Sequence, residues 1–379
     1  MRRSSDARQR IIDAILAARV TTQHLNKKTD VRRFLAQYFA DVPHEDLEGR
    51  SEEIMARIAL DHLEFGAVRG EGEALLRIFN ANEKEHGYTS PYTFVEMVND
   101  DMPFLVNSVA AAINRHNLGV HITVHPIVSV RRNASGKLTS IAAHGDRGAI
   151  SESFIRFAIT RETSEKTLRQ LHRDITKVLG DVRVAVRDWE AMRQRMRETA
   201  PLLEDGPKGA DPLMRSESQA LLEWMADDHF TFLGYREYKL VKRRGKSFLE
   251  PVKGTGLGLL GRNHKRSAVE LTLEMERLRR SREWLILTKA NSISTVHRPA
   301  FLDYVGIKIY DKHGNAVAER RFIGLLTSIA YTESPTNIPL LRHKVQQIFE
   351  RGNVDQKGHR GKALLHIIQT YPREELFQS

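Results

Sequence analysis

The feature that most constrains the fold is an apolar strand pattern followed at once by a turn and an apolar helix, within residues 92–117. In the stretch YTFVEMVN, Phe94 and Val98 lie on one face. Val95 and Met97 lie on the other face. Because side chains alternate along a strand, a strand of this kind must be covered on both sides. The sequence therefore predicts a layered sheet in which both faces of this strand are buried.

The residues after the strand are typical of a helix start. Asp100 and Asp101 precede Pro103, and acidic residues and proline are both favoured in the first turn of a helix. The helix that follows has an apolar stripe at helical spacing: Leu105, Val109, Ala112 and Ile113. Asn117 or Gly119 is suited to close it in a left-handed conformation.

The pattern continues with two more strands, a helix and a last strand. Residues 120–130 and 153–160 alternate between apolar and polar positions, as strands do. Residues 163–180 carry a helical apolar stripe that ends at Gly180, and alternating valines predict a final strand over 182–188. The order βαββαβ is that of a ferredoxin-like domain, an antiparallel sheet with two helices.

The remaining segments extend this organisation to an α+β fold. Residues 1–85 predict a helical segment, with 70–82 as a short helix or a connector, and a first helix packed by Ile11, Ile12, Ile15 and Leu16. The ferredoxin-like domain then occupies 86–190. After a connector at 191–215, residues 216–379 predict a second antiparallel-sheet α+β domain that ends in helices.

Charge and composition exclude several classes of function. The net charge is +11, but 59 basic residues are interspersed with 48 acidic ones, so a mixed surface is favoured over a nucleic-acid partner. The chain has no cysteine, which excludes disulfides, thiolate catalysis and cysteine-based zinc sites and suits a cytoplasmic location. No run approaches the ~18 apolar residues of a membrane helix, so no membrane partner is expected.

The segment GLGLLG, residues 256–261, matches the GxGxxG pattern of dinucleotide-binding turns. That motif needs a parallel βαβ unit and an apolar helix after the third glycine. Here the charged stretch RNHKRS follows, and no parallel unit surrounds it. The sequence favours a flexible loop at this position and no cofactor-binding residue.

Titratable residues near one another in the sequence do not define a catalytic or metal site. His121 and His125 share one face of a predicted strand, but no third ligand lies nearby. The aspartate pairs 100–101 and 227–228 point their side chains apart, so capping or turn roles are expected. We therefore predict no catalytic residue and no metal ligand in this chain.

Several long segments together carry a family resemblance: YTFVEMVNDDMPFLVNSV, EWMADDHFTFLGYREY, GTGLGLLG, VHRPAFLDYVGIKIYD, ERRFIGLLTSIAY and IPLLRHKVQQIFER. From about residue 25 to its end, the chain resembles the N-terminal part of the large bacterial NAD-specific glutamate dehydrogenases. The resemblance implies an ACT-like first domain, a PAS-like second domain and a catalytic domain elsewhere in a longer polypeptide. It further implies that the parent uses NAD to oxidise L-glutamate, while this stretch alone is inactive.

The resemblance also implies partners and a candidate site. The partners are the rest of the same polypeptide, other subunits of a homo-oligomer and an amino-acid effector. The candidate site is the ACT-type turn, formed by these residues: Asn99, Asp101, Met102, Pro103 and Phe104. ACT domains that bind amino acids usually have glycine where Phe104 stands, which indicates a degenerate turn with a structural or oligomer-contact role. The alternative function is a free-standing amino-acid-sensing protein with intact ACT and PAS-like pockets.

Overall fold

The computed structural model describes residues 13, 28–40, 42, 51–207, 209–261 and 267–378. The chain divides into two compact units, an N-terminal unit, Met1–Gly180, and a C-terminal unit, Asp181–Ser379. Each unit combines helices with an antiparallel sheet, so the predicted α+β class is confirmed. The predicted first helix around Ile11 to Leu16 lies outside the described residues. Within the described ranges, no helix has the length and apolar character to cross a membrane.

The N-terminal unit contains a six-stranded sheet and the helices around it. Its elements are α1 Lys28–Tyr38, α2 Glu52–Phe65, β1 Leu75–Asn80, α3 Glu83–His86, β2 Thr93–Asp100, α4 Leu105–Asn114, β3 Val120–Val124, β4 Ile127–Arg132, β5 Leu138–Ile141, β6 Ile150–Ile159 and α5 Glu165–Arg187, which continues into the C-terminal unit. The strand order is β1-β2-β6-β4-β5, and β3 also pairs with β6. All of these pairings are antiparallel.

Two of the elements predicted from the sequence are wrong. Residues 75–80, expected to be helix or connector, form β1 and pair with β2. Residues 182–188, expected to form the last strand, continue helix α5 as far as Arg187. Burial there recurs at Val178, Val182 and Ala185, which is helical spacing, so packing overrides the β-propensity of the valines. One edge of β2 is therefore paired with β1, a strand that precedes it in the chain.

Both faces of β2 are buried, which confirms the prediction of two-sided cover. Val98 belongs to a core cluster that includes Phe34 of α1, Leu63 of α2 and Phe154 of β6. The N-terminal helices therefore cover that face of the sheet. On the opposite face Val95 and Met97 are completely buried. The predicted stripe of α4 is also buried: Leu105, Val109, Ala112 and Ile113.

The C-terminal unit packs helices against one face of a second sheet. Its further elements are α6 Trp189–Thr199, α7 Pro212–Trp224, β7 Phe230–Arg243, β8 Lys246–Pro251, α8 Gly258–Gly261, β9 Val269–Glu270, α9 Leu273–Arg280, β10 Leu285–Ile293, β11 Phe301–Tyr310, β12 Ala316–Leu326, α10 Ser328–Thr332, α11 Leu341–Arg351, α12 His359–Thr370 and α13 Arg373–Gln378. The strand order is β10-β11-β12-β7-β8-β9. The helix-covered face includes Tyr235, Ile307 and Phe322, in one core cluster with Leu221 and Leu341.

Candidate functional site

The ACT-type turn joins β2 to α4, and its helix starts later than predicted. Helix α4 begins at Leu105, so Pro103 lies in the turn before the helix and not in its first turn. Phe104 is the N-cap residue, with a left-handed φ of 73°, and its side chain does not cap the helix. A left-handed φ is costly for a residue with a Cβ. Phe104 therefore holds a conformation that glycine adopts without strain.

The polar residues of this turn make hydrogen bonds within the N-terminal unit. Asp100 Oδ1 accepts a hydrogen bond from Arg69 Nη2 at 2.6 Å. Asp101 Oδ1 accepts one from Ser153 Oγ at 2.8 Å. The buried Asn99 donates from Nδ2 to the carbonyl oxygen of Asp100 at 2.9 Å. A capping or turn role was predicted for the Asp100–Asp101 pair, and the structure shows both carboxylates bound to residues outside the turn, Arg69 and Ser153.

The two candidate histidines make separate contacts. Pro126 lies between β3 and β4, so the single strand predicted over 120–130 is two strands. His121 Nε2 lies 3.1 Å from Thr160 Oγ1, and His125 Nε2 lies 3.0 Å from Ser153 Oγ. The structure thus gives each histidine a hydroxyl partner on or beside β6.

Phe104 allows a matched test of backbone strain in the turn. Both Phe104→Gly and Phe104→Ala remove the half-buried ring, but only glycine adopts a φ of 73° without strain. We expect the glycine variant to have a free energy of unfolding about 1 kcal/mol higher than the alanine variant. Urea denaturation of the two variants measures this difference. An alanine variant as stable as the glycine variant would contradict the strained geometry.

A row of charged residues, which we name the charge ladder, crosses three neighbouring strands of the sheet. Its residues are Arg77 of β1, Glu96 of β2 and Arg156 of β6, which lie directly opposite one another. Arg77 Nε donates to Glu96 Oε2 at 2.7 Å, and Arg156 Nη1 donates to Glu96 Oε1. Burial alone would raise the pKa of Glu96, but Arg156 and the other neighbours outweigh it and lower that pKa. The sequence holds one signal for this ladder, a glutamate inside an otherwise apolar strand, which was not among the predicted site residues.

A second buried cluster, also of charged residues, connects the segment before β1 to strands β4 and β6 of the sheet. Glu152 of β6 accepts hydrogen bonds from Arg69 Nη2 at 2.7 Å and from Arg132 Nε at 2.7 Å. Arg69 also donates to the carbonyl oxygen of Glu73, and Arg132 donates to that of Gly66. Both guanidinium groups are therefore held by charge and by backbone, which suits a rigid scaffold.

His62 of α2 lies between the N-terminal helices and the sheet. Its Nε2 is 3.2 Å from the carbonyl oxygen of Met97, and its Nδ1 is 3.1 Å from Tyr38 Oη. A neutral ring satisfies both contacts when Nε2 donates to the carbonyl and Nδ1 accepts from the hydroxyl. Desolvation by burial lowers the pKa of His62 to about 4. The ring is thus neutral at physiological pH.

This lowered pKa predicts a loss of stability in mild acid. The unfolded histidine has a pKa of about 6.5, so the unfolded chain takes up the proton first as the pH falls. The contribution of the neutral His62 ring to the free energy of unfolding is fully present above about pH 6.5. About 2 kcal/mol of that contribution is lost by about pH 5. Urea denaturation at both pH values measures the loss.

The control for this pH effect is His62→Gln, which cannot titrate. We expect this variant to be less stable at neutral pH but to lose about 2 kcal/mol less than the unmodified chain on acidification. An equal pH dependence in the two proteins would contradict a buried neutral ring.

The segment GLGLLG is packed against β7, so its prediction as a flexible loop is wrong. Leu260 is buried, and Gly258 forms a bridge to Gly234 of β7. A Cβ on Gly258 would lie 2.3 Å from the carbonyl oxygen of Leu233, so its glycine is required for close approach. The amide nitrogen of Gly258 donates to Asp188 Oδ2 at 2.8 Å. With a carboxylate on that amide and an antiparallel sheet beside it, the segment does not fit a dinucleotide.

The C-terminal unit has a cavity on the face of its sheet opposite the main core cluster. The cavity volume is about 390 Å³. The strands β7, β8, β10, β11 and β12 contribute to its wall, together with Leu260 of α8 and Met275 of α9. We name it the C-terminal cavity. Sequence analysis did not find it, because its wall is assembled from segments far apart in the chain.

The fold and the turn define an α+β protein of the ACT type, and comparison with known proteins makes this specific. Residues 34–175 match the family described as glutamate dehydrogenase, ACT1 domain. Residues 338–379 match the family described as glutamate dehydrogenase, helical motif 1. The second match covers helices α11 to α13 completely.

Full-length relatives agree with these domain matches. The chain is 33% identical over 360 residues to the NAD-specific glutamate dehydrogenase of Halomonas elongata and 34% identical over 371 residues to that of Pseudomonas aeruginosa. These alignments cover 93% and 94% of this chain but 22% of each relative. The Mycobacterium tuberculosis protein of the same name is 26% identical over 319 residues, which cover 83% of this chain and 18% of the relative.

The two domain matches and the similarity over nearly the whole chain are consistent with the N-terminal region of a large NAD-specific glutamate dehydrogenase, as the resemblance implied. It spans about a fifth of the length of the relatives it matches.

Proposed function

We propose that this chain is the N-terminal regulatory and assembly segment of an NAD-dependent glutamate dehydrogenase. The observation that carries the proposal is an ACT1 domain of that enzyme family at residues 34–175, within a chain that aligns with 22% of its relatives. In the parent reaction, L-glutamate, NAD and water give 2-oxoglutarate, ammonia and NADH. The parent works in the cytoplasm as a homo-oligomer under the control of an amino-acid effector.

The geometry of the described residues supports a separate location for the chemistry. Both sheets are antiparallel, whereas a dinucleotide is bound at the carboxyl ends of parallel strands. The carboxylates of the ACT-type turn are bound to Arg69 and Ser153. We therefore assign the turn a structural role in the regulatory segment and place the NAD site elsewhere in the parent polypeptide.

The predicted limits are a helical segment over 1–85, an ACT-like domain at 86–190, a connector at 191–215 and a PAS-like domain at 216–379. The proposed organisation keeps this order but includes β1 in the sheet of the ACT-like domain, because β1 pairs with β2. The order of the second sheet, with helices inserted between β8 and β10, supports the PAS-like assignment.

The experiment is a comparison of the full-length parent protein, a form that lacks residues 1–379, and the 379-residue chain alone. We expect no glutamate-dependent NAD reduction by the 379-residue chain. We expect the shortened parent to differ from the full-length protein in sedimentation and in its kinetic response to amino acids. The proposal fails if sedimentation and response are the same in both, or if the native subunit is itself only as long as this chain.

A further inference from the structure

We propose that the C-terminal cavity is a binding site for a small amphipathic carboxylate. Its anionic end would face β10, β11 and β12, and its apolar body would face β7, β8 and α9. The volume of about 390 Å³ lies in the usual range for small-molecule sites. Binding of a carboxylate in this cavity can be measured on this chain alone, so the inference does not depend on the activity of a parent enzyme.

The polar end of the cavity contains a guanidinium that is held in one orientation. Arg321 Nε lies 3.0 Å from both Glu319 Oε1 and Tyr304 Oη, and Arg321 Nη2 lies 2.9 Å from Glu319 Oε1. The guanidinium carbon lies 4.2 Å from the centre of the Tyr238 ring. No contact with the described residues uses Nη1, so this nitrogen is available to an acceptor in the cavity. A pre-oriented guanidinium is well suited to bind a carboxylate.

An irregularity in β10 adds backbone groups to the cavity wall. The pairing of β10 with β11 shifts between Lys289 and Ile293, so that residues 290–292 stand opposite the single residue Leu302. All three of these residues line the cavity. A bulge of this kind leaves backbone groups outside the ladder, and bulges are frequent beside binding sites. The bulge therefore adds backbone hydrogen-bonding groups to the β10 part of the cavity wall.

The charges of the wall favour an anion. Among the described residues of the wall, three side chains are cationic, Lys289, Lys308 and Arg321, and one is a carboxylate, Glu319. Asp303 lies 2.7 Å from Lys289 and balances that charge, while Lys308 donates to Ser281. A partly enclosed wall with excess positive charge attracts anionic ligands and disfavours cations.

The other end of the cavity is apolar. Leu240 of β7, Leu249 of β8 and Met275 of α9 line it together with Leu271. These side chains provide no hydrogen-bonding group, so an apolar body of the ligand is favoured there. Cationic and apolar groups thus line one sheet face together, which matches a carboxylate with an apolar chain or ring.

The test is isothermal titration calorimetry of the 379-residue chain with a matched pair of probes. These are 4-phenylbutanoate and the neutral 4-phenylbutan-1-ol, accompanied by the straight-chain acids from butanoate to decanoate. We expect at least one acid to bind, and 4-phenylbutanoate to bind at least about tenfold more tightly than the alcohol. Failure of every acid to bind, or equal affinity for acid and alcohol, overturns the proposal.

Variants locate the site. Met275→Trp fills the apolar end and should abolish binding, whereas Leu273→Trp is the control, since Leu273 is 83% exposed on the same helix. Arg321→Lys keeps the charge opposite Glu319 but removes Nη1, and should weaken binding of the acid by about tenfold without affecting the alcohol. Thermal melting confirms that each variant is folded. Unchanged binding in folded Met275→Trp would show that the acid binds elsewhere and would overturn the proposal.

Discussion

Replacement of Glu96 by alanine is expected to lower the free energy of unfolding of the N-terminal unit by about 3–5 kcal/mol. Glu96 has no solvent exposure and lies between Arg77 and Arg156. Without its carboxylate, Arg156 is left as a buried cation in an apolar layer, close to the Phe94 ring. The measurement is urea denaturation followed by circular dichroism.

Two controls separate the buried charge from a general effect of mutation. The double variant Glu96→Leu with Arg156→Leu removes both charges, so we expect it to be less destabilised than the sum of its single variants by about 1–3 kcal/mol. Glu165→Ala breaks an exposed pair with Arg169 and should cost at most about 0.5 kcal/mol. A loss below about 1 kcal/mol for Glu96→Ala would contradict a buried ladder.

A lysine on either face of β2 is expected to destabilise the N-terminal unit by roughly 4 kcal/mol or more. Val98→Lys places an ammonium group beneath the N-terminal helices, and Val95→Lys places one on the opposite face. Neither position has contact with water, so the charge must be buried or the packing must open. Urea denaturation of each variant gives the loss.

The control for the lysine variants is Thr123→Lys, because Thr123 is an exposed residue on strand β3 of the same sheet. We expect its free energy of unfolding to lie within about 0.5 kcal/mol of the unmodified chain. If Val95→Lys or Val98→Lys behaved like this control, the corresponding face of the sheet would be open to solvent.

The two-sided cover of β2 was predictable because alternation places Phe94 and Val98 opposite Val95 and Met97, and all four are apolar. The final strand was mispredicted because a valine run fits period 2 as well as a helical stripe. Only the packing of Val182 and Ala185 decides between these two periods. The local pattern of apolar residues therefore predicts that both faces of β2 are buried, but it does not predict which strand lies at the edge of the sheet.

The charged groups were harder to predict than the apolar ones. Arg77, Glu96 and Arg156 come from three strands, and no sequence spacing relates them. The same holds for the C-terminal cavity, in which Leu240 and Arg321 meet only after β7 has paired with β12. The left-handed φ of Phe104 was also not predictable from the sequence, because a bulky residue gives no signal for a left-handed conformation.

The helices that cover the N-terminal sheet precede its strands in the chain. This order has a consequence for synthesis on the ribosome. The Phe34 ring packs 5.6 Å from that of Phe154, and 120 positions of the chain separate the two residues. At about 5–20 residues per second, translation reaches Phe154 roughly 6–24 seconds after Phe34. During that interval the apolar stripe of α1 has no β6 to pack against. The nascent N-terminal helices are therefore candidate clients for chaperones that shield apolar surface until the sheet is complete.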